Sequence, residues 1–297
     1  MSNSLAGVNV AQIAQKTLDT MVAKLPVVNL FSTDFSSDVA VEGSSVTTRI
    51  AQQPTAGSLE TGYADNEQAS NCSAVTITLG DVTGFVIGFT DSEWSKSSIN
   101  IDEIFVKPGV NAVSGKVVND ALKLVTNAKF GAAVYNSNVS GVLTVDDVAE
   151  MAGDLSDSNV PSDDRFLLVR PTLFTDLCKD DAVKYMANYG DASALKMREI
   201  PNLGGFKVAE YSGIPSNSEN LIGMVGHKSA IVIATRVPAT PEPFNGEVAN
   251  VTDPESGLTI QVRKWYSADK GKHYLSMGII YGVKEANTTA LGRIVSA

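Results

Sequence analysis

Cysteine and histidine are nearly missing from these 297 residues, with two of each. Cys72 and Cys178 stand far apart in unrelated contexts, which argues against a disulfide framework and fits synthesis in a reducing cytosol. His227 and His273 have no Cys, His or carboxylate at ligand spacing, so most metal sites and His-based acid–base constellations drop out. Each is expected in a structural or surface role. No apolar run approaches the roughly 20 residues that span a bilayer; GFVIGF and AIVIA are of strand length. The opening stretch MSNSLAGVNVAQIAQKTLD lacks the basic start and continuous apolar run of a signal peptide. The N-x-S/T matches at Asn71, Asn138, Asn250 and Asn287 are therefore read as chance. Positive charge is also short, with 23 Lys and Arg against 33 Asp and Glu and a net charge of −10. That balance argues against nucleic acid or an anionic membrane as a direct binding partner.

Catalytic signatures are equally scarce. No Gly-rich phosphate loop, G-x-S-x-G elbow, H-E-x-x-H or dinucleotide fingerprint occurs. The stretch GGFKVAEYSG has glycines but no Lys-Ser/Thr ending and no helix to follow, so it reads as a strand bounded by turns. Acidic pairs at Asp146 with Asp147 and Asp180 with Asp181 fit helix starts, where negative charge offsets exposed N–H groups. Asp163 with Asp164 falls in a Ser/Asn/Pro-rich turn. Cys178 lies in an apolar helical pattern and Cys72 beside a strand, the setting of inert thiols. Trp94 and Trp265 read as packing or interface anchors. No catalytic residue, cofactor or metal is expected.

What is present is a core-forming chain. Apolar residues make up 43% and charged residues 19%, and a chain of this length buries about three-quarters of its unfolded surface. Ile13, Leu18, Met21, Val22 and Leu25 recur at helical spacing up to Pro26, predicting a helix over about 5–25. Pro108 suits the first turn of a second and longest helix, with Val110, Val113, Val117, Leu124 and Ala128 along one face. A shorter helix is expected from Leu143 to Asp154, with Thr144 and Asp147 spaced as a capping box. RFLLV reads as a buried strand stopping before Pro171, where a helix begins. Beyond Pro201, GGFKVAEYSGIP, LIGMVG, SAIVIATRV, LTIQVRKWY and YLSMGIIYGV are strand-like and separated by turns. Strands and helices do not alternate as in a doubly wound domain, so the fold class is α+β. No internal repeat is visible.

The stretch AQQPTAGSLETGYADNEQASN, 51–71, has Leu59 and Tyr63 as its only large apolar side chains. It separates the strand-like runs VTTRI and AVTITL, and GFVIGFT follows. Structureless loops of more than roughly 12 to 15 residues are uncommon unless functional or disordered. The expected shape is two long antiparallel arms joined by a ragged tip.

Several segments, in this order, resemble the major capsid proteins of tailed bacteriophages, the Hong Kong 97-type fold, from about Val46 to Val295. GSSVTTRI and SAVTITLGDVTGFVIGFTDSEW look like the arms of that family's extended E-loop, and VNAVSGKVVNDALKLVTNAKFGAAV resembles its long P-domain spine helix. VPSDDRFLLVRPTLFTDLCKDD is similar to the family's P-x-x-x-R, apolar strand, Pro, helix stretch of the A-domain; GGFKVAEYSGIP and GHKSAIVIATR look like the next A-domain segments. GLTIQVRKWYSADKGKHYLSMGIIYGVKEANTTALGRI resembles the C-terminal strands that return to the P-domain.

The resemblance implies a division into an N-terminal arm (1–42), E-loop and flanking strands (43–95), P-domain with spine helix (96–140), A-domain (141–240) and C-terminal strands (241–297). It implies a non-enzymatic coat protein that self-assembles into hexamers and pentamers of an icosahedral head, enclosing double-stranded DNA without sequence-specific binding. An encapsulin-type nanocompartment shell is the alternative, and an enzyme of unrecognised type would need a polar cluster that the sequence does not advertise. Expected partners are copies of itself, a separate scaffolding protein and a portal, with no membrane. The expected location is the virion, after assembly in the host bacterial cytoplasm. In the family the E-loop lies across the neighbouring subunit, so Arg49, Glu60, Tyr63, Asp65 and Glu67 on the arm are candidate subunit contacts, with Trp94, Arg165 and Arg170 on the body. Some members crosslink subunits through an E-loop Lys, but no Lys occurs here between Lys24 and Lys96, so that isopeptide bond is not expected. The strand arm begins within the first 50 residues, which favours a separate scaffold over a built-in one, with 5–25 as an N-arm. The acidic balance suits a container whose wall must not hold its DNA.

Overall fold

Strand β12, Lys272–Glu285, is the longest strand among the described residues, and its 14 residues are shared between neighbours along its length. Its first half pairs on opposite edges with β3 and β11, and its second half pairs with β9. The computed structural model describes residues 27–33, 45–51, 72–96, 101–137, 141–186, 200, 202–240, 243–252 and 258–296. The helix expected over 5–25 lies outside these, as do Glu60, Tyr63, Asp65 and Glu67.

In chain order, β1 (Ser45–Ala51) and β2 (Cys72–Thr78) form a two-stranded antiparallel hairpin. Then come β3 (Thr83–Thr90), α1 (Asp91–Lys96), α2 (Ile101–Leu122), α3 (Asn127–Phe130) and β4 (Ala133–Asn136). Helix α4 (Val145–Asp157) precedes β5 (Arg165–Val169), α5 (Pro171–Lys179) and α6 (Asp181–Met186). Strands β6 (Asn202–Leu203), β7 (Phe206–Glu210), β8 (Leu221–His227) and β9 (Ile231–Arg236) follow. The chain continues through β10 (Gly246–Thr252), β11 (Thr259–Ser267) and β12 to β13 (Leu291–Val295). The mixture is α+β, as its pattern of runs predicts.

Two larger sheets result. One runs β10-β11-β12-β3, with β9 added to the far end of β12; the other runs β4-β13-β8-β5-β7-β6. In the second, every residue of β5 and β13 is buried, and so is β8 up to His227. Such continuous burial matches their near-unbroken apolar sequences. The capping box at the start of α4 is present: Asp147 N–H donates to Thr144 Oγ1, and Thr144 N–H donates to Asp147 Oδ2 at 2.8 Å. Pro171 opens α5 as expected.

The spine helix differs from expectation at both ends. It starts at Ile101, so Pro108 lies within it, and it stops at Leu122, leaving Leu124 and Ala128 outside. The stop has a partner. Asn217 Nδ2 donates to the carbonyls of Leu122 (2.9 Å) and Val125 (2.7 Å), taking up acceptors that a continued helix would use. Val110, Val113 and Val117 are buried against the core, as the helical stripe predicts, and Val118 beside them is buried as well. The stretch GFVIGFT is also reassigned: β3 is a strand of the first sheet and no part of the arm.

Candidate assembly surfaces

The arm is built as a projection with a fixed root. Seven residue pairs join β1 to β2, from Ser45 opposite Thr78 to Ala51 opposite Cys72, and strands of that length extend about 23 Å. Arg49 lies in this ladder opposite Ala74. An isolated two-stranded ribbon is marginal in water, so the root must supply stability. Val46 and Ile77 are buried against Val232 and Ala234 of β9. Burying each such side chain stabilises by about 1.5 to 3 kcal/mol. Gly80 N–H donates to Tyr281 O at 3.0 Å, and Gly282 lets the backbone of Thr78 pass against β12 where a Cβ would collide with it.

A second surface lies where α1 meets the β11–β12 turn. Trp94 stacks on His273 with ring centroids 5.0 Å apart, Tyr266 leans on the same imidazole at 4.7 Å, and Lys264 Nζ sits 5.4 Å over the indole. Asp91 holds the group together: Oδ2 accepts from Tyr266 Oη at 3.0 Å, and Oδ1 is 3.4 Å from His273 Nε2. Trp94 is thus half-buried in its own subunit's cluster, with Tyr266 and Asp91 as exposed members. His227 is likewise structural. Its Nδ1 accepts from Ser229 N–H at 3.2 Å, and burial holds the imidazole below the usual histidine range.

Arg165, expected at a subunit contact, is an internal clasp. It is 6% exposed, and its guanidinium donates to the carbonyls of Pro161, Ala152 and Val160 and to Ser156 Oγ at 2.6 to 3.1 Å. With its donors engaged in its own turn and helix, it has little to offer a neighbour. Arg170 is half-buried and donates through Nη2 to Ile214 O at 2.6 Å, tying the start of α5 to the segment between β7 and β8.

A latch missed by sequence reasoning joins the second sheet to the end of α2. Asn217, Ser218 and Asn220 adopt left-handed backbone angles, φ 51°, 57° and 53°. That turn aims Asn217 at the helix end and lets Glu219 accept from Asn127 N–H at 2.8 Å while pairing with buried Arg293. The consecutive Asn and Ser residues of SNSEN were the only signal. Among the described residues no group of His, Cys, Asp and Glu could hold a metal ion, and no helix is long and apolar enough to cross a membrane.

No protein-family model matches the sequence, and no curated protein matches it. Solved structures do. The chain matches the capsid structure of cyanophage P-SCSP1u with a TM-score of 0.62 at 12% identity, over 90% of this chain and 86% of that one. It matches the capsid of cyanophage Pam1 with a TM-score of 0.59 at 12% identity, over 89% and 87%. For the mature capsid of bacteriophage PhiM1 the TM-score is 0.54 at 12% identity, over 86% and 82%. The chain has the Hong Kong 97-type capsid fold.

Within the Hong Kong 97-type fold, the β1–β2 hairpin corresponds to the E-loop and α2 to the spine helix. Tyr281 Oη donates to Asp120 Oδ2 at 2.7 Å, coupling that helix to the long strand beneath it. Burial alone would raise the Asp120 carboxyl, but hydrogen bonds from Lys116, Tyr281 and Lys123 outweigh it and hold the group below the usual carboxylate range. The E-loop root and this coupling converge on neighbouring residues of β12, Tyr281 and Gly282.

Proposed function

We propose that this chain is the major capsid subunit of a tailed phage, assembling through copies of itself into hexamers and pentamers of an icosahedral head around double-stranded DNA. The observation that carries the reading is the arm. Its root is buried against β9, while among the described residues its two strands form a sheet with each other alone. A subunit that places such an arm on a neighbour makes a head-to-tail contact, the kind that generates rings, and small angular differences between rings close a shell. Similarity to phage capsids over about nine-tenths of the chain supports the same reading, and no observation favours a nanocompartment. The role is structural, without catalysis, and the location is the virion.

The arm contacts are Arg49, Glu60, Tyr63, Asp65 and Glu67, with Trp94 on the body. A separate scaffolding protein and a portal are the expected partners of assembly, which takes place in the host cytoplasm. The proposed division is an N-terminal arm (1–42), E-loop and flanking strands (43–95), P-domain with spine helix (96–140), A-domain (141–240) and C-terminal strands returning to the P-domain (241–297). Deleting residues 54–68 tests the reading. The intact chain sediments as rings or shells and the deletion as single subunits with an unchanged circular dichroism spectrum. Shells of normal size from the deletion would overturn it.

A further inference from the structure

The chain between β9 and β10 is fastened near both of its ends to the face of β11 that carries Gln261, Arg263 and Trp265. Near β9, Gln261 Nε2 donates to Pro238 O at 2.9 Å and to Thr240 Oγ1 at 3.3 Å, and Arg263 Nη2 donates to Ala239 O at 2.7 Å. Near β10, Phe244 packs edge-on against Trp265 with ring centroids 6.1 Å apart. Two residues later Gly246 enters β10 directly opposite Trp265. Asn245 lies between these two fixed points and is exposed.

Packing dictates the glycine. A Cβ at 246 would collide with Lys264 O and lie 2.7 Å from Phe244 Cε1 and 2.8 Å from Trp265 Cβ, so a larger residue would displace either the start of β10 or Phe244. The same missing side chain leaves the Gly246 nitrogen unshielded and its backbone free to turn. Asn245 alone among the chain's asparagines is followed by glycine. β10 is the outer strand of its sheet and Gly246 is exposed, so water reaches this dipeptide from the side away from β11.

Other asparagines are held or hindered. Asn217 precedes the small Ser218, but its Nδ2 is committed to the carbonyls of Leu122 and Val125. Asn250 is exposed too, yet it precedes β-branched Val251, whose side chain crowds the backbone nitrogen.

We propose that Asn245 is a site of spontaneous covalent modification, and that the reaction unfastens Phe244 from Trp265. The Gly246 nitrogen attacks Asn245 Cγ, closing a succinimide ring as the Cγ–Nδ2 bond breaks. Nδ2 leaves as ammonia, taking the Gly246 amide proton. Water then opens the ring at one of its two carbonyl carbons and returns a proton to the Gly246 nitrogen. Opening at Cγ gives Asp on an unchanged main chain; opening at the backbone carbonyl gives isoAsp, with the main chain rerouted through Cβ and Cγ. No electrons are transferred and water is the sole co-reactant. The isoAsp main chain is longer by one carbon between Phe244 and Gly246. With Gly246 pressed against Lys264 O, the added length moves Phe244 off the indole. The reaction needs no partner and is independent of the assembly reading.

The test keeps the intact chain in warm, mildly alkaline buffer and follows tryptic peptide 237–263, which holds both Asn245 and Asn250, by mass spectrometry. Asn245 is expected to lose its amide at least about tenfold faster than Asn250, a ratio that a modest difference in barrier produces, and to yield isoAsp as well as Asp. An Asn245 that keeps its amide, or loses it no faster than Asn250, overturns the site. Release is read in Trp94→Phe, where Trp265 is the single tryptophan. Its emission is expected to move to the red in step with isoAsp formation. The shift is expected to be lost when Asn245→Gln is added, because the longer side chain closes a ring far more slowly. Emission that holds steady while Asn245 converts, or an equal red shift with Asn245→Gln, overturns the release.

Discussion

Tyr281 Oη donates a 2.7 Å hydrogen bond to Asp120 Oδ2, joining the spine helix to β12 immediately beside the glycine where the arm is rooted. Burial, and then the bond to Asp120, push the Tyr281 hydroxyl well above the usual tyrosine range, so it remains a donor throughout the accessible pH range. Tyr281→Phe is expected to cost about 2 kcal/mol at neutral pH, as for a hydrogen bond to a charged group. Because the folded-state pKa of Asp120 is depressed, the carboxylate's contribution is present above its ordinary value of 3.8 and is lost as pH falls through the folded value. Urea midpoints of Tyr281→Phe and the unsubstituted chain should therefore differ at pH 7 and draw together in acid.

His227 has the opposite chemistry. Burial depresses its pKa below 6.5, with Arg165 and Lys228 adding to the effect and Asp164 and Asp163 opposing it. The unfolded chain takes up a proton that the folded chain resists, so stability is full above pH 6.5 and falls as pH drops from there toward the folded value. The slope of unfolding free energy between pH 7 and 5 is expected to shrink in His227→Gln. An unchanged slope would show that other groups set it.

Arg165 holds the turn before β5 together from inside. Arg165→Ala leaves the carbonyls of Val160, Pro161 and Ala152 without this donor in a largely buried site and is expected to cost about 3 kcal/mol or more. Arg165→Lys should not restore it, since an ammonium cannot span four acceptors fixed by a planar fork. Thermal denaturation of the three chains distinguishes this from a surface role, which would leave all three within about 0.5 kcal/mol.

Gly282 controls the arm. A Cβ there would collide with Thr78 O and lie 2.9 Å from Ile77 Cγ2, so Gly282→Ala must displace the arm root. The expected outcome is faster proteolytic cutting within 45–78 and poor assembly, at a stability cost of about 1 to 3 kcal/mol. Cutting at the unsubstituted rate would mean that the root is held elsewhere.

The elements legible in the sequence are those whose signal is local. RFLLV followed by Pro171, the Thr144–Asp147 capping box and the strand pair flanking 52–71 each carry their instruction within a few residues. Others depend on distant partners. GEVANVT has no clean alternation and becomes β10 by pairing with β11. AVYN looks like the tail of a helix, and becomes β4 because Asn217 ends α2 and β13 offers an edge. LGRIV hides a buried arginine that is tolerable only beside Glu219 and Gly131 O. The candidate surfaces follow the same rule. Tyr63 and its acidic neighbours can be read from composition, whereas Gly84 and Gly278, 194 positions apart in the chain, face each other only once β3 pairs with β12.

The central claim is that this chain builds shells from copies of itself, and negative-stain electron microscopy of the purified protein tests it most directly, alone and together with the products of its neighbouring genes. The account predicts rings of five and six subunits or closed shells. A uniform population of single subunits under every condition would contradict it.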